Sequence, residues 1–155
     1  MAITIAVETP LQDDVRELVR DLNAYLNPLS PKEFQFQMTV EQMDGPATTL
    51  FVARDDSGRA VGMGALKVET AAMAEVKRMF TRPDMRGQRV GSALLAAVEK
   101  LARDKGIAEL KLETGEGAGF EPAQRLYINS GFTRCGAFLD YPDSGYSAFF
   151  EKRLR

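Results

Sequence analysis

Between Met73 and Glu113 the chain reads strand, turn, long amphipathic helix, strand, and no other feature constrains its fold as much. Met73–Thr81 (MAEVKRMFT) has the composition of a strand and is followed by Pro83. Val90, Leu94, Val98, Leu101 and Ala102 then recur at helical spacing until Lys105-Gly106 stops the helix. Glu109–Glu113 (ELKLE) alternates as a half-buried strand. A helix of this length between two strands makes a crossover, which places the strands in parallel and lays the helix on one sheet face.

The segments on either side supply the remaining layers. Ile3–Val7 reads as a strand, and Thr9-Pro10 as the opening of a helix whose apolar face is Val15, Leu18, Val19, Leu22 and Leu26. Asn27-Pro28 ends that helix, and residues 29–48 read as an irregular loop holding a short helix. Leu50–Arg54 and Ala60–Val68 form a hairpin about Asp55-Asp56-Ser57-Gly58. Pro122–Asn129 reads as a short helix stopped by Gly131, and two strands follow Phe132, the last being Ala148–Arg153. A meander followed by a crossover predicts an α/β (mixed α+β) fold with helices flanking one mixed sheet. The 155 residues suit a single domain over 1–155, with no repeat or linker to divide it.

Composition removes several kinds of chemistry. The chain has no histidine, which excludes Ser-His-Asp and Cys-His catalysis and the usual zinc sites, so no metal is expected. Its lone cysteine, Cys135, reads as a small buried hydrophobe. A net charge of −2 argues against nucleic-acid binding. No apolar run approaches the roughly 18 residues of a membrane span, and MAITIAVETP lacks the features of a signal peptide; a cytoplasmic protein is expected. Charge is nevertheless uneven. Lys77, Arg78, Arg82, Arg86 and Arg89 crowd the segment from Glu75 to Val90, either as a solvated face or as a site for a small polyanion.

Arg86-Gly87-Gln88-Arg89-Val90-Gly91-Ser92 lies where that segment turns into the long helix. A glycine-containing turn at a helix start points backbone N–H groups outward at the positive end of the helix dipole, a geometry that binds phosphate. Such a turn alone is often only a turn. The stretch RGQRVGSALL, however, resembles the acetyl-CoA signature of the GNAT superfamily of N-acetyltransferases, Gln/Arg-x-x-Gly-x-Gly/Ala before an aliphatic helix. Ala123-Gln124-Arg125-Leu126-Tyr127-Ile128-Asn129-Ser130-Gly131-Phe132 is similar to that family's A-x-x-L-Y-x-x-x-G-F segment, and Glu75 precedes Lys77-Arg78-Met79 as in the family. One departure stands out: Arg89 occupies the place of the family's inner glycine, where its side chain either crowds a pyrophosphate or reaches it.

The resemblance implies a central mixed, mostly antiparallel twisted sheet of about seven strands with about four helices. It also implies direct transfer from acetyl-CoA to a primary amine of a small molecule or amino acid, in a ternary complex without a metal. The loop Arg86, Gly87, Gln88, Arg89, Val90, Gly91 and Ser92 would hold the pyrophosphate. Met79, Phe80 and Thr81 would run beside the pantetheine arm, with the Met79 amide as oxyanion donor. Glu75 would take the amine's proton, sharing a strand face with Lys77 and Met79 by simple alternation. Tyr127 would return a proton to the leaving thiolate. For the acceptor, the resemblance points to Asn23, Tyr25 and Leu26 with Phe34 and Phe36 behind them, and Tyr141 opposite. Lys77 and Arg78 suggest an acceptor that carries a carboxylate. The aromatic strand Ser147–Arg153 either pairs across a homodimer or completes the core.

Two other readings compete with this one. Gly115-Glu116-Gly117-Ala118-Gly119, with Asp140 beyond, has a trace of a dinucleotide- or S-adenosylmethionine-binding pattern, but too little chain follows to complete a doubly wound sheet. A non-catalytic acyl-CoA-binding module would keep the phosphate loop and leave Glu75 and Tyr127 idle.

Overall fold

A computed structural model describes residues 2–155. Four strands come as an antiparallel meander: β1 (Thr4–Val7), β2 (Thr48–Arg54), β3 (Ala60–Val68) and β4 (Met73–Thr81). The crossover helix α3 (Val90–Asp104) returns the chain to β5 (Glu109–Gly115). β6 (Thr133–Cys135) and β7 (Ser147–Arg153) complete one seven-stranded sheet in the order β1-β2-β3-β4-β5-β7-β6. Its single parallel pair is β4 with β5, joined only over Met73–Glu75 and Glu109–Lys111. Beyond those pairs the two strands part company, and the gap between them becomes a cleft.

Three further helices are α1 (Asp13–Leu26), α2 (Val40–Met43) and α4 (Glu121–Asn129). On one sheet face Val15, Leu18 and Leu22 of α1 and Met43 of α2 are buried against Leu50, Val52 and Met63. On the other, Leu94, Val98 and Ala102 of α3 and Tyr127 of α4 pack with Leu66, Leu112 and Phe150. Each fully buried side chain of this size contributes about 1.5–3 kcal/mol relative to exposure, so both faces hold the sheet between them. Within residues 29–48, α2 forms behind a capping box: Thr39 Oγ1 accepts from the Gln42 amide and Gln42 Oε1 from the Thr39 amide.

Two expectations from the sequence need correction, and one open alternative is decided. Helix α1 does not begin at Thr9-Pro10 but at Asp13. Residues 8–12 are instead tied to β2, because Glu8 and Gln12 both accept hydrogen bonds from Arg54. The strand Ser147–Arg153, read either as a dimer edge or as part of the core, belongs to the core: β7 lies between β5 and β6, with its aromatic residues Phe149 and Phe150 buried.

The second correction concerns β4. Met63 pairs with Phe80 and Ala65 with Lys77, so Arg78 and Met79 together stand opposite Gly64. This β-bulge inserts one residue and breaks the alternation. Glu75 and Lys77 share a face, but Met79 turns to the α3 side, where a Cβ on Gly64 would come within 2.4 Å of Met79 Sδ. A side chain at Gly64 would make the Met79 thioether shift from this position. Arg78, at φ 54, turns toward α1 and donates to Asn23 Oδ1.

Candidate active site

The cleft between β4 and β5 widens into a cavity of about 510 Å³. Its floor is β4 from Val76 to Thr81, and Glu113 and Tyr127 stand on the β5–α4 side. At one end is the start of α3, with Tyr25 close to Arg86 beside it; Phe34 and Phe36 also line the cavity. The sequence-predicted residues therefore meet in one space, with four exceptions. Asn23, Glu75, Gln88 and Tyr141 lie outside its lining.

At the first end, Gly87 has φ 81 and Arg89 φ 62. Arg89 thus keeps the left-handed backbone that a glycine would adopt freely, a strain of about 1–2 kcal/mol. As the residue before α3 it makes no side-chain cap, and the first helical bond runs from the Ala93 amide to the Arg89 carbonyl. The N–H groups of Val90, Gly91 and Ser92 accordingly have no acceptor within the helix and face the positive end of its dipole. Arg86 and Arg89 are exposed beside them. Open N–H donors flanked by two guanidinium groups are the donor set a pyrophosphate needs, so this end fits the phosphates of acetyl-CoA.

The rest of the basic cluster is not part of that set. Arg82 is spent on structure, donating to the Ala60 carbonyl at 2.7 Å, to Asp21 at 3.0 Å and to Glu17 at 2.9 Å. Lys77 Nζ donates to the Tyr141 hydroxyl at 2.7 Å, and that hydroxyl donates to Glu75 Oε2 at 3.0 Å. Lys77 also lies 3.4 Å from Glu75, which is 1% exposed. Burial, then the charge and hydrogen bond of Glu75, push the Tyr141 phenol far up. Glu75 is thus the buried anchor of a Glu75–Tyr141–Lys77 group, of which only Lys77 reaches the cavity.

A second carboxyl group, one the sequence reasoning did not single out, lies nearer the cavity. Glu113 near the end of β5 lines it and accepts a hydrogen bond from Ser147 Oγ at 2.6 Å. Burial pushes its pKa up to about 7; the Ser147 bond and the Lys77 charge oppose the shift and the Glu75 charge adds to it. The available signal was the alternation in ELKLE. It puts Glu109, Lys111 and Glu113 on one face, where Lys111 is taken by Glu109 and Glu151 while Glu113 has no cation of its own. Tyr127 is buried, and burial followed by the Glu113 charge holds its phenol well above the usual range.

Tyr25 of α1 lines the cavity. Its hydroxyl donates to the Gly119 carbonyl at 2.6 Å, and the Arg86 guanidinium lies 5.5 Å from its ring centroid. Phe34, also in the lining, stacks on Tyr146 with centroids 5.1 Å apart. Tyr146, a second wall absent from the sequence reading, is brought there by the loop that leads into β7.

The sequence model of the acetyltransferase (GNAT) domain family matches residues 46–134. The chain is 40% identical over 153 residues to an IAA acetyltransferase of Azospirillum brasilense, with 98% of each chain covered. A Klebsiella pneumoniae structure provisionally described as an acyl-CoA N-acyltransferase superposes with a TM-score of 0.83 at 31% identity, over 99% of this chain and 98% of that one. The PaiA N-acetyltransferase of Thermoplasma acidophilum, solved with coenzyme A, shares the fold at a TM-score of 0.78 and 20% identity, over 99% of this chain and 100% of that one.

Proposed function

The chain belongs to the GNAT acetyltransferase family, acyltransferases that draw on acyl-CoA, and on that premise we propose that it acetylates a primary amine of a small molecule by direct transfer from acetyl-CoA in a ternary complex. One observation carries the reading. A single cavity runs from the uncapped start of α3, along the bulged strand β4, to a half-buried carboxyl and a buried phenol.

Acetyl-CoA supplies an activated acetyl thioester. The N–H groups of Val90, Gly91 and Ser92 with Arg86 and Arg89 hold its phosphates, and Met79, Phe80 and Thr81 line the path of its pantetheine arm. Glu113 takes a proton from the attacking amine. With a pKa of about 7 it is largely ionised at slightly alkaline pH yet basic enough to accept that proton. Of the two carboxyl groups, this role goes to Glu113 because it lines the cavity, whereas Glu75 fixes Lys77 and Tyr141 behind it. Tyr127, kept protonated by burial, donates its phenolic proton to the sulfur as the C–S bond breaks.

The test is a melting-temperature titration followed by turnover. A ligand at a hundred times its dissociation constant stabilises a fold by about 2.7 kcal/mol, so acetyl-CoA and CoA should raise Tm clearly while NAD and S-adenosylmethionine do not. Thiol release must then depend on an added amine, with intersecting rather than parallel initial-rate lines. Acetyl-CoA binding without release for any primary amine would sink the catalytic reading and leave an acyl-CoA-binding module.

A further inference from the structure

Arg78 is the most unusual cation in the molecule. It sits at the bulge of β4 with φ 54, is 8% exposed, and lines the cavity. Its only side-chain hydrogen bond among the described residues goes to the neutral amide of Asn23, and its Nε has no partner at all. No carboxylate pairs with it, in contrast to Arg54, Arg59 and Arg82, each of which meets an Asp or a Glu. Burial alone lowers its pKa to about 10, with no opposing charge to restore it. A buried guanidinium left unpaired costs several kcal/mol unless something neutralises it, and the strained backbone that aims it inward adds to that cost.

Lys77, the other basic residue of this strand in the lining, is occupied by Tyr141 and Glu75. Apart from Arg86 and Arg89 at the start of α3, the cavity thus presents, among the described residues, one unpaired cation, Arg78, and one carboxyl without an ion pair, Glu113. One wall is aromatic, with Phe34 stacked on Tyr146 and Phe36 also in the lining. These three features match a zwitterion that carries a flat apolar group.

We propose that the acceptor is an amino acid with an aromatic side chain, whose carboxylate is held by Arg78, whose amine is presented to Glu113 and whose ring lies against the wall of Phe34 and Tyr146. This rests on the acetyltransferase reading above, but it is tested on binding rather than on turnover. A guanidinium–carboxylate pair in a desolvated site is bidentate and charge-assisted, which on ordinary magnitudes separates an acid from its amide by about tenfold or more.

The experiment measures binding of N-acetyl-L-phenylalanine and N-acetyl-L-phenylalaninamide to the CoA-saturated protein by calorimetry. The acid should bind about tenfold or more tighter than the amide. Arg78→Gln should erase that preference while leaving the affinity for CoA unchanged, which also shows that the variant is folded, and Arg78→Lys should restore part of it. Equal binding of acid and amide, binding of neither, or a preference that survives Arg78→Gln would overturn the assignment. A parallel loss of CoA affinity in Arg78→Gln would overturn it too, by placing Arg78 on the cofactor. A carboxylate preference without acetylation of L-phenylalanine or any other amine would retain the Arg78 anchor and refute the transferase; acetylation of amines without that preference would do the reverse.

Discussion

Ser147 Oγ donates to Glu113 at 2.6 Å across adjacent strands of the sheet. That bond favours the ionised carboxylate, yet burial outweighs it and the pKa still rises to about 7. Glu113 is therefore held in place by a neutral donor that does not neutralise it, the condition a general base requires.

If Glu113 accepts the amine proton, kcat/KM should climb with pH through about 7 and level off. Glu113→Gln should lower kcat/KM by about 10²–10⁴-fold and remove that limb. A pH–rate profile of both proteins checks this, and an unchanged limb in the variant would move the base elsewhere.

The same residue makes a prediction about stability. Its folded pKa is raised above the ordinary carboxylate value, so the protonated form favours folding. The contribution is full at low pH and is lost as pH rises toward and through about 7. Glu113→Gln should accordingly be more stable than the parent at pH 8, by on the order of 3 kcal/mol at most, with little advantage at pH 4. Urea unfolding at the two pH values measures the difference.

Arg89→Gly should separate strain from binding. Relief of the left-handed backbone should stabilise the free protein by about 1 kcal/mol. Affinity for CoA should fall about tenfold, with a weaker dependence on salt, because a phosphate loses a charged partner. Calorimetric CoA titrations at two ionic strengths, alongside Tm, decide it; tighter binding would mean that the side chain obstructs the loop.

Tyr127→Phe should lower kcat by about 10²-fold while leaving CoA affinity within twofold, since only the proton donor is removed and the buried ring stays. Comparing acetyl-CoA with a donor whose thiol is a better leaving group supplies the check. The better leaving group should recover part of the lost rate, and equal losses for both donors would assign the hydroxyl another role.

The layers of the fold were legible in the sequence because their signals are local. Met73–Thr81 and the helix from Val90 fall where the composition and period put them. The turn at residues 86–92 and the open backbone donors behind it were legible for the same reason: donors at a helix start depend on a turn and a period, both written in consecutive residues. The bulge at Arg78 and Met79 was not, since it shows only in the pairing with the neighbouring strand, where the two residues stand opposite Gly64. Glu113 was hidden in a similar way. Its burial comes from the sheet and the cleft around it, and its lack of a cation is visible only once Lys111 is seen to be shared between Glu109 and Glu151.

β4 and β5 touch through three residue pairs and then separate. The sheet behaves as two leaves stitched at one end, and the strand edges along the open length have no strand to complete them. A ligand lying in that gap does more than visit a site; it fills in a missing section of the architecture. Folding and loading are then linked: a ligand that fills the gap adds to the stability of the free protein by an amount set by its concentration.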